Sequence, residues 1–134
     1  MKEALFKFEI LNDLLIGFTT PGPVPNALWV EYLKHLNNPA IKKYIGGVVG
    51  LAEPNSLQRK SAAEAFKARK IPVVIITETT LVRGFVTAAS WLGANAQSFD
   101  WPELRRGLDH LKVTGVQQDR AVEILLRMKA SYMR

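Results

Sequence analysis

Two short apolar segments most constrain what this chain can fold into. Residues 71–77 contain four consecutive β-branched residues at positions 73–76, and residues 45–51 carry no polar side chain at all. Apolar runs of this length are typical of strands that are covered on both faces of a sheet, as in parallel sheets. We therefore predict a sheet in which residues 71–77 form a central strand and residues 44–51 a second buried strand.

The rest of the chain alternates between strand and helix patterns. Phe6, Phe8 and Ile10 alternate with charged residues and are followed by the apolar residues 14–18, which predicts an opening β-hairpin. Further along, the pattern predicts a short strand at 96–99 and helices at about 27–36, 56–68, 79–92, 100–111 and 116–132. Because strands that alternate with helices need crossover connections, we expect an α/β fold. It combines a mixed sheet of about five strands, the N-terminal hairpin and an extra C-terminal helix.

The predicted helices have expected starts and packing faces. Asn26 is a suitable N-cap for the first helix, and Leu57, together with Ala62, Ala65 and Phe66, is expected to face inward in the second. We expect the tryptophans to pack, Trp91 most firmly, rather than stack on a ligand. The last helix carries one apolar stripe, which either docks on its own sheet, the alternative that we favour, or pairs with a second chain as a homodimer. The stripe consists of Ala121, Ile124, Leu125, Met128 and Tyr132.

Composition excludes several classes of protein. The 134 residues are 48% apolar, which suits one domain, and the absence of cysteine excludes disulfides, thiolate catalysis and cysteine-ligated zinc. Charged residues interrupt residues 1–10, which do not resemble a signal peptide, and no apolar run approaches the roughly 20 residues that span a bilayer. We expect a cytoplasmic protein without a membrane span.

The formal charge of +6 results from 18 basic and 12 acidic residues. Nucleic-acid binders usually concentrate basic residues in one patch, whereas the basic residues here are spread along the chain in pairs. We therefore favour a solvated basic surface over a nucleic-acid interface.

No catalytic or metal-binding motif is present in the sequence. His35 and His110 lie in no metal-ligand motif, and no serine lies in a Gly-x-Ser-x-Gly turn. The glycines at 46, 47 and 50 fall inside an apolar strand without the Lys-Ser/Thr of a phosphate-binding loop, so close backbone packing explains them better. We expect no metal, no cofactor and no enzymatic activity.

Polar residues follow the two buried strands and make the best candidate surface. The carboxyl ends of such strands are where open α/β sheets bind ligands, so we expect both loops to meet at one edge. The plain alternative is that Asn55 or Ser56, and also Thr79, only cap the helices that follow. The candidate residues for partner binding are Asn55, Ser56, Arg59, Lys60, Glu78, Thr79, Thr80 and Arg83.

The order of elements over residues 1–112 resembles the STAS domain of bacterial anti-sigma-factor antagonists, with residues 113–134 as a C-terminal helical extension. The segments that carry the resemblance are Val48-Val49-Gly50-Leu51, Pro54-Asn55-Ser56-Leu57-Gln58-Arg59-Lys60, Leu81-Val82-Arg83-Gly84-Phe85-Val86-Thr87-Ala88 and Ser98-Phe99-Asp100-Trp101-Pro102-Glu103-Leu104. The resemblance implies a non-enzymatic regulator that binds a partner protein through the loop before the second helix.

The family also implies a regulatory phosphorylation, but this chain departs from its pattern. Phosphorylated members have an Asp-Ser-Ser/Thr-Gly type of turn, of which only Ser56 is present here. A phosphate at Ser56 would lie at the positive end of a helix, with Arg59 and Lys60 within one turn.

The alternative function is a small-molecule or nucleotide-binding protein, or a small enzyme, that uses the same cleft.

Overall fold

In a computed structural model, which describes residues 2–133, the chain forms a five-stranded mixed sheet covered by helices. The strands are β1 (Phe6–Leu11), β2 (Leu14–Thr19), β3 (Gly22–Pro23), β4 (Lys43–Val48), β5 (Ala52–Glu53), β6 (Val73–Thr77) and β7 (Ala96–Phe99). The helices are α1 (Asn26–Leu36), α2 (Ser56–Arg69), α3 (Thr80–Trp91), α4 (Leu104–His110) and α5 (Gly115–Met133). The predicted α/β class, with its opening hairpin and C-terminal helix, is confirmed.

The strands of the main sheet are arranged in the order β1-β2-β4-β6-β7. β1 and β2 are antiparallel, and β2, β4, β6 and β7 run parallel to one another. The register aligns Thr19, Val48 and Thr77 across three neighbouring strands, so these strands end together at one edge of the sheet.

Two hydrophobic layers cover the sheet. On one face, Ile45 and Val74 pack with side chains of α4 and α5, among them Leu108 and Leu125. On the other face, neighbouring strand residues pack against α1 and α2, with Ala89 of α3 at the margin. Because successive side chains of a strand point to opposite faces, β4 and β6 contribute to both layers. The predicted burial of these two strands on both faces is confirmed.

Helix α5 is part of the same core. Its buried residues Ala121, Ile124, Leu125 and Met128 belong to the cluster that contains the strand residues of one sheet face. The favoured prediction for the apolar stripe, docking on the chain's own sheet, is confirmed. A homodimer through this stripe is not supported, because the stripe is already covered.

Several predicted boundaries were wrong. β4 ends at Val48 instead of Leu51, and two short strands for which no prediction was made, β3 and β5, pair in parallel with each other. Helix α1 begins at Asn26 and is preceded by Pro25 without a side-chain cap, so Asn26 is not the N-cap. By contrast, the predicted start of the fourth helix at residue 100 is confirmed, because Asp100 caps a 3-10 turn, Trp101–Glu103, that leads into α4.

Two predicted core residues lie in solvent. Leu57 is 77% exposed and Trp91 is 82% exposed. In α2 the inward face runs through positions 58, 62 and 66, and the polar side chain of Gln58 takes the place that Leu57 was expected to fill. In α3 the face with Val82 and Val86 is buried, and Trp91 lies on another side of the helix.

Arg69 joins the end of α2 to the turn that follows α1. Its guanidinium donates hydrogen bonds to the carbonyl oxygens of Leu36 at 2.6 Å, Asn38 at 2.8 Å and Ile41 at 3.1 Å. A lysine would retain the charge but could not reach all three acceptors, because it lacks the planar fork of nitrogen donors.

We expect Arg69→Lys to lower the free energy of unfolding by about 1–3 kcal/mol, the cost of losing hydrogen bonds from a charged donor to partly buried carbonyls. Urea denaturation measures this value. The matched control is Arg120→Lys, because Arg120 makes only an exposed ion pair with Glu123 on its own helix. Equal stability losses in the two variants would contradict the role assigned to Arg69.

Candidate functional site

The carboxyl ends of the parallel strands form one continuous edge, which we call the rim (residues 20, 49–55, 78–79 and 100). Gly50 and Glu78 join its two middle loops, because the Gly50 amide donates a 2.6 Å hydrogen bond to Glu78 Oε1. Gly50 has a φ of +65°, and a Cβ there would lie 2.6 Å from Cγ of Pro21. Glycine is therefore required at position 50, and the loops after β4 and β6 are in direct contact.

The start of α2 is held by a reciprocal pair of hydrogen bonds. Asn55 Oδ1 accepts from the Gln58 amide at 2.8 Å, and Gln58 Oε1 accepts from the Asn55 amide at 2.9 Å. Of the two residues proposed as caps, Asn55 and Ser56, it is Asn55 that caps this helix. The Gln58 side chain is only 4% exposed and also donates to the Val24 carbonyl at 3.0 Å. Gln58 therefore connects the start of α2 to the segment before α1.

The sequence did contain a signal for the role of Gln58. A glutamine three residues after an asparagine, at the start of a helix, is the spacing of a capping box. No sequence pattern indicated the hydrogen bond between Gln58 and Val24, because only the tertiary fold brings these two residues together.

The start of α3 is held by threonine hydroxyls. Thr79 Oγ1 accepts from the Val82 amide at 3.3 Å, which confirms Thr79 as the N-cap, and Thr77 Oγ1 accepts from the Thr79 amide at 3.1 Å. Arg83 donates to the Thr77 carbonyl at 3.3 Å and pairs with Asp100 at 3.6 Å. Arg83 therefore ties the end of β6 to the turn after β7.

Arg59 joins the two halves of the candidate surface. Its guanidinium donates to the Pro54 carbonyl at 2.9 Å and lies 5.0 Å from the centre of the Phe85 ring. The first turn of α2 is thereby brought against α3, as the predicted meeting of the two loops requires. Ser56, Lys60 and Thr80 are exposed around this contact.

Of the eight predicted residues, Asn55, Glu78, Thr79 and Arg83 make bonds that organise the rim itself, and Arg59 braces α2 against α3. Ser56, Lys60 and Thr80 present their side chains to solvent. The structure thus separates residues that shape the surface from residues that are available to a partner.

Sequence reasoning missed an apolar surface on α3. We call it the α3 face; it consists of a stripe, Leu81, Phe85, Ala88 and Leu92, together with Trp91 at the side of that stripe, and all five are exposed. The spacing 81, 85, 88, 92 is helical, so a second apolar stripe was visible in the sequence beside the one that packs. Leu57, also exposed, lies at the start of the neighbouring helix α2.

Basic residues of α2 lie beside the α3 face. Arg59 stacks on Phe85, and the side chain of Lys67 passes within 3.5 Å of where a Cβ on Gly93 would be, just beyond the end of α3. Lys60 is exposed in the same helix. The surface therefore combines an apolar centre with a basic margin.

No group of three His, Asp or Glu side chains in residues 2–133 converges as metal ligands. None of the described helices has the length and apolar character needed to cross a bilayer.

Comparison with known proteins assigns no family to this chain. The chain matches no protein-family model, and no curated protein is significantly similar to it in sequence.

Proposed function

We propose that this protein is a non-enzymatic, STAS-like regulatory module that binds a partner protein through the start of α2, the rim and the α3 face. The observation that carries the proposal is the exposed apolar α3 face, in which Trp91 and Leu92 are 82% and 72% exposed. Exposed apolar side chains that cluster on one helix face typically mark a protein interface. Tryptophan is also the residue type most enriched among side chains that dominate binding energy.

The basic margin defines the chemistry of the partner. Arg59 and Lys67 border the apolar α3 face, Lys60 is exposed on the same helix, and the whole chain carries a formal charge of +6. Complementary charges across an interface accelerate association and disfavour wrong partners. The partner is therefore a protein that presents apolar side chains surrounded by aspartate and glutamate.

The resemblance to STAS domains supports the same surface. The loop before the second helix is the functional loop of that family, and here it is residues 52–55, directly beside Arg59 and the α3 face. The absence of cysteine agrees with a cytoplasmic regulator, and we propose that location as well.

The alternative function, a nucleotide-binding protein or a small enzyme in the same cleft, has less support. Glu78 is bonded to the Gly50 amide, and Arg83 is bonded to the Thr77 carbonyl and Asp100. The polar groups that would have to bind a nucleotide are therefore occupied by contacts within the rim.

Trp91→Ala tests the proposed interface. We expect it to weaken partner binding by more than about 20-fold, the effect of losing a dominant interface residue, and to leave the melting temperature nearly unchanged because the indole is exposed. The partner is first identified by affinity capture and mass spectrometry, and binding of the purified partner is then measured by calorimetry.

The control for this test is Val116→Ala, since Val116 is 85% exposed but lies at the start of α5, away from the α3 face. Partner binding that is the same in Trp91→Ala and in the control, or the failure of capture to yield any partner, would overturn the proposal.

Ser56→Glu tests whether phosphorylation of Ser56 regulates partner binding. Ser56 is exposed in the first turn of α2, where a negative charge is stabilised by the helix dipole, so we expect the fold to be retained. The added charge draws Arg59 and Lys60 away from an acidic partner and weakens binding about tenfold. Ser131→Glu, on an exposed position of α5, is the control, and unchanged affinity of Ser56→Glu would exclude a phosphorylation switch.

A further inference from the structure

An apolar cavity of about 190 Å³ lies beneath the contact of α2 with α3. Its floor is formed by the sheet residues Tyr44 and Val73, and its walls include Trp29, Phe66 and Val86. The most exposed lining residues are Arg59 and Phe85, which belong to α2 and α3, so the mouth opens between these two helices.

Small side chains account for the empty space. The helices and the edge strand present alanines to the cavity where larger side chains would close it, namely Ala62, Ala63, Ala89 and Ala96. Protein interiors are normally packed without voids of this size, and an unfilled cavity lowers stability. A ligand that fills the space would restore the missing contacts.

The size and lining of the cavity define the apolar part of that ligand. A cavity of about 150 Å³ lined by aliphatic and aromatic side chains stays free of water and binds benzene. Apart from Arg59, Thr19 and the phenols of Tyr32 and Tyr44, the lining side chains are apolar, so the interior offers a ligand few polar partners. A phenyl ring or a branched chain of similar volume fits this space.

A single charged residue, Arg59, is among the side chains that line the cavity. One of its nitrogens donates to the Pro54 carbonyl, and guanidinium has further donors that suit a carboxylate. We propose that this cavity binds a small monocarboxylate whose apolar body, about the size of a phenyl ring, enters between α2 and α3 and whose carboxylate pairs with Arg59. This inference stands independently of the proposed partner binding.

Titration with 4-phenylbutyrate and with the neutral 4-phenylbutanol tests the proposal, followed by two-dimensional amide NMR on the full chain. We expect saturable shifts at Ala62, Val86 and Ala89, with the carboxylate bound at least tenfold more tightly than the alcohol. Arg59→Met is expected to abolish that preference and to retain binding of the alcohol.

A cavity-filling variant separates this site from loose surface binding. Ala89→Leu is expected to raise the melting temperature by a few degrees and to abolish binding of both compounds, and Ala63→Leu serves if Ala89→Leu does not fold. Ala130→Leu, on an exposed position of α5, is the control and is expected to bind like the unaltered chain. The proposal is overturned if no saturable shift occurs, if the filled variant binds normally or if the alcohol binds as tightly as the carboxylate.

Discussion

Gly17→Ala is expected to destabilise the protein by about 3 kcal/mol, at the upper end of the range for adding a methyl group to a packed core. Gly17 and Gly46 are paired across β2 and β4, and the Tyr44 phenol lies over both. A Cβ at Gly17 would approach Tyr44 Oη to 2.5 Å. The Tyr44 ring packs on Tyr32 at 5.2 Å and on Phe66 at 6.1 Å between ring centres, so a shift of the phenol disturbs these two contacts.

Tyr44→Phe should relieve most of this cost. Without the hydroxyl, the closest atoms to a Cβ at Gly17 are ring carbons at 3.2 Å, a separation that small shifts accommodate. We expect Gly17→Ala to cost about 1 kcal/mol in the Tyr44→Phe background, a coupling of about 2 kcal/mol within the range for residues in contact. Gly46→Ala should be rescued less, because the ring carbon Cζ would remain 2.9 Å from its Cβ.

Chemical denaturation of the four variants of this cycle gives the coupling energy. Gly84→Ala is the control, because nothing lies within 4 Å of a Cβ at this helical position. There we expect a gain of roughly 0.5–1 kcal/mol from the better helix propensity of alanine. Additive effects of Gly17→Ala and Tyr44→Phe would show that the hydroxyl does not cause the conflict.

A second large effect is expected at alkaline pH. Burial raises the pKa of Tyr32 well above the usual tyrosine value, and the neighbouring Tyr44 raises it further. Burial also raises the pKa of Tyr44, only partly opposed by its hydrogen bond with Tyr32. Both phenols therefore remain protonated in the folded protein at a pH where they ionise in the unfolded chain.

The free energy of unfolding falls at high pH because the unfolded chain then binds fewer protons than the folded protein. Below about pH 10, the pKa of tyrosine in an unfolded chain, both states are protonated and the full stability is present. Above that pH the unfolded state releases up to two protons that the folded state retains. The free energy of unfolding then falls by up to about 1.4 kcal/mol per pH unit for each tyrosine. We expect cooperative unfolding between about pH 10 and pH 12.

Absorbance of tyrosinate at 295 nm, recorded together with far-ultraviolet circular dichroism, measures this effect. Two of the three tyrosines are expected to ionise only as the helical signal is lost. Tyr132→Phe, which removes the third tyrosine, should leave the transition in place. Ionisation of all three near pH 10 in a chain that keeps its helical signal would contradict the burial of the Tyr32 and Tyr44 hydroxyls.

The α2 and α3 starts illustrate which parts of the site were predictable. Asn55 or Ser56, and Thr79, could be named as candidate caps because a cap depends on residues within one turn of each other. The bond between Gly50 and Glu78, and the stacking of Arg59 on Phe85, join residues more than 20 positions apart in the chain. No local pattern encodes such pairs, so they were not predicted individually.

Trp91 and Leu57 show the limit of periodicity most clearly. A helical repeat of apolar residues shows that a face is apolar, but not whether the sheet will cover it. Helix α3 carries two such faces, and the sheet accepts the one with Val82 and Val86. The other face, with Trp91, remains exposed to solvent. It is the face that we propose as the interface.

The amino-acid sequence alone determined the order of the helices and of the five strands of the main sheet, the two-sided burial of β4 and β6, and the candidate caps of α2 and α3, because each depends on neighbours a few residues apart. Only the tertiary structure decided which face of α3 is buried, that Gln58 enters the core, and that alanines from two helices leave a cavity. Those outcomes depend on the shape complementarity between elements that are distant in the chain. The periodicity of a single helix or strand does not determine that complementarity.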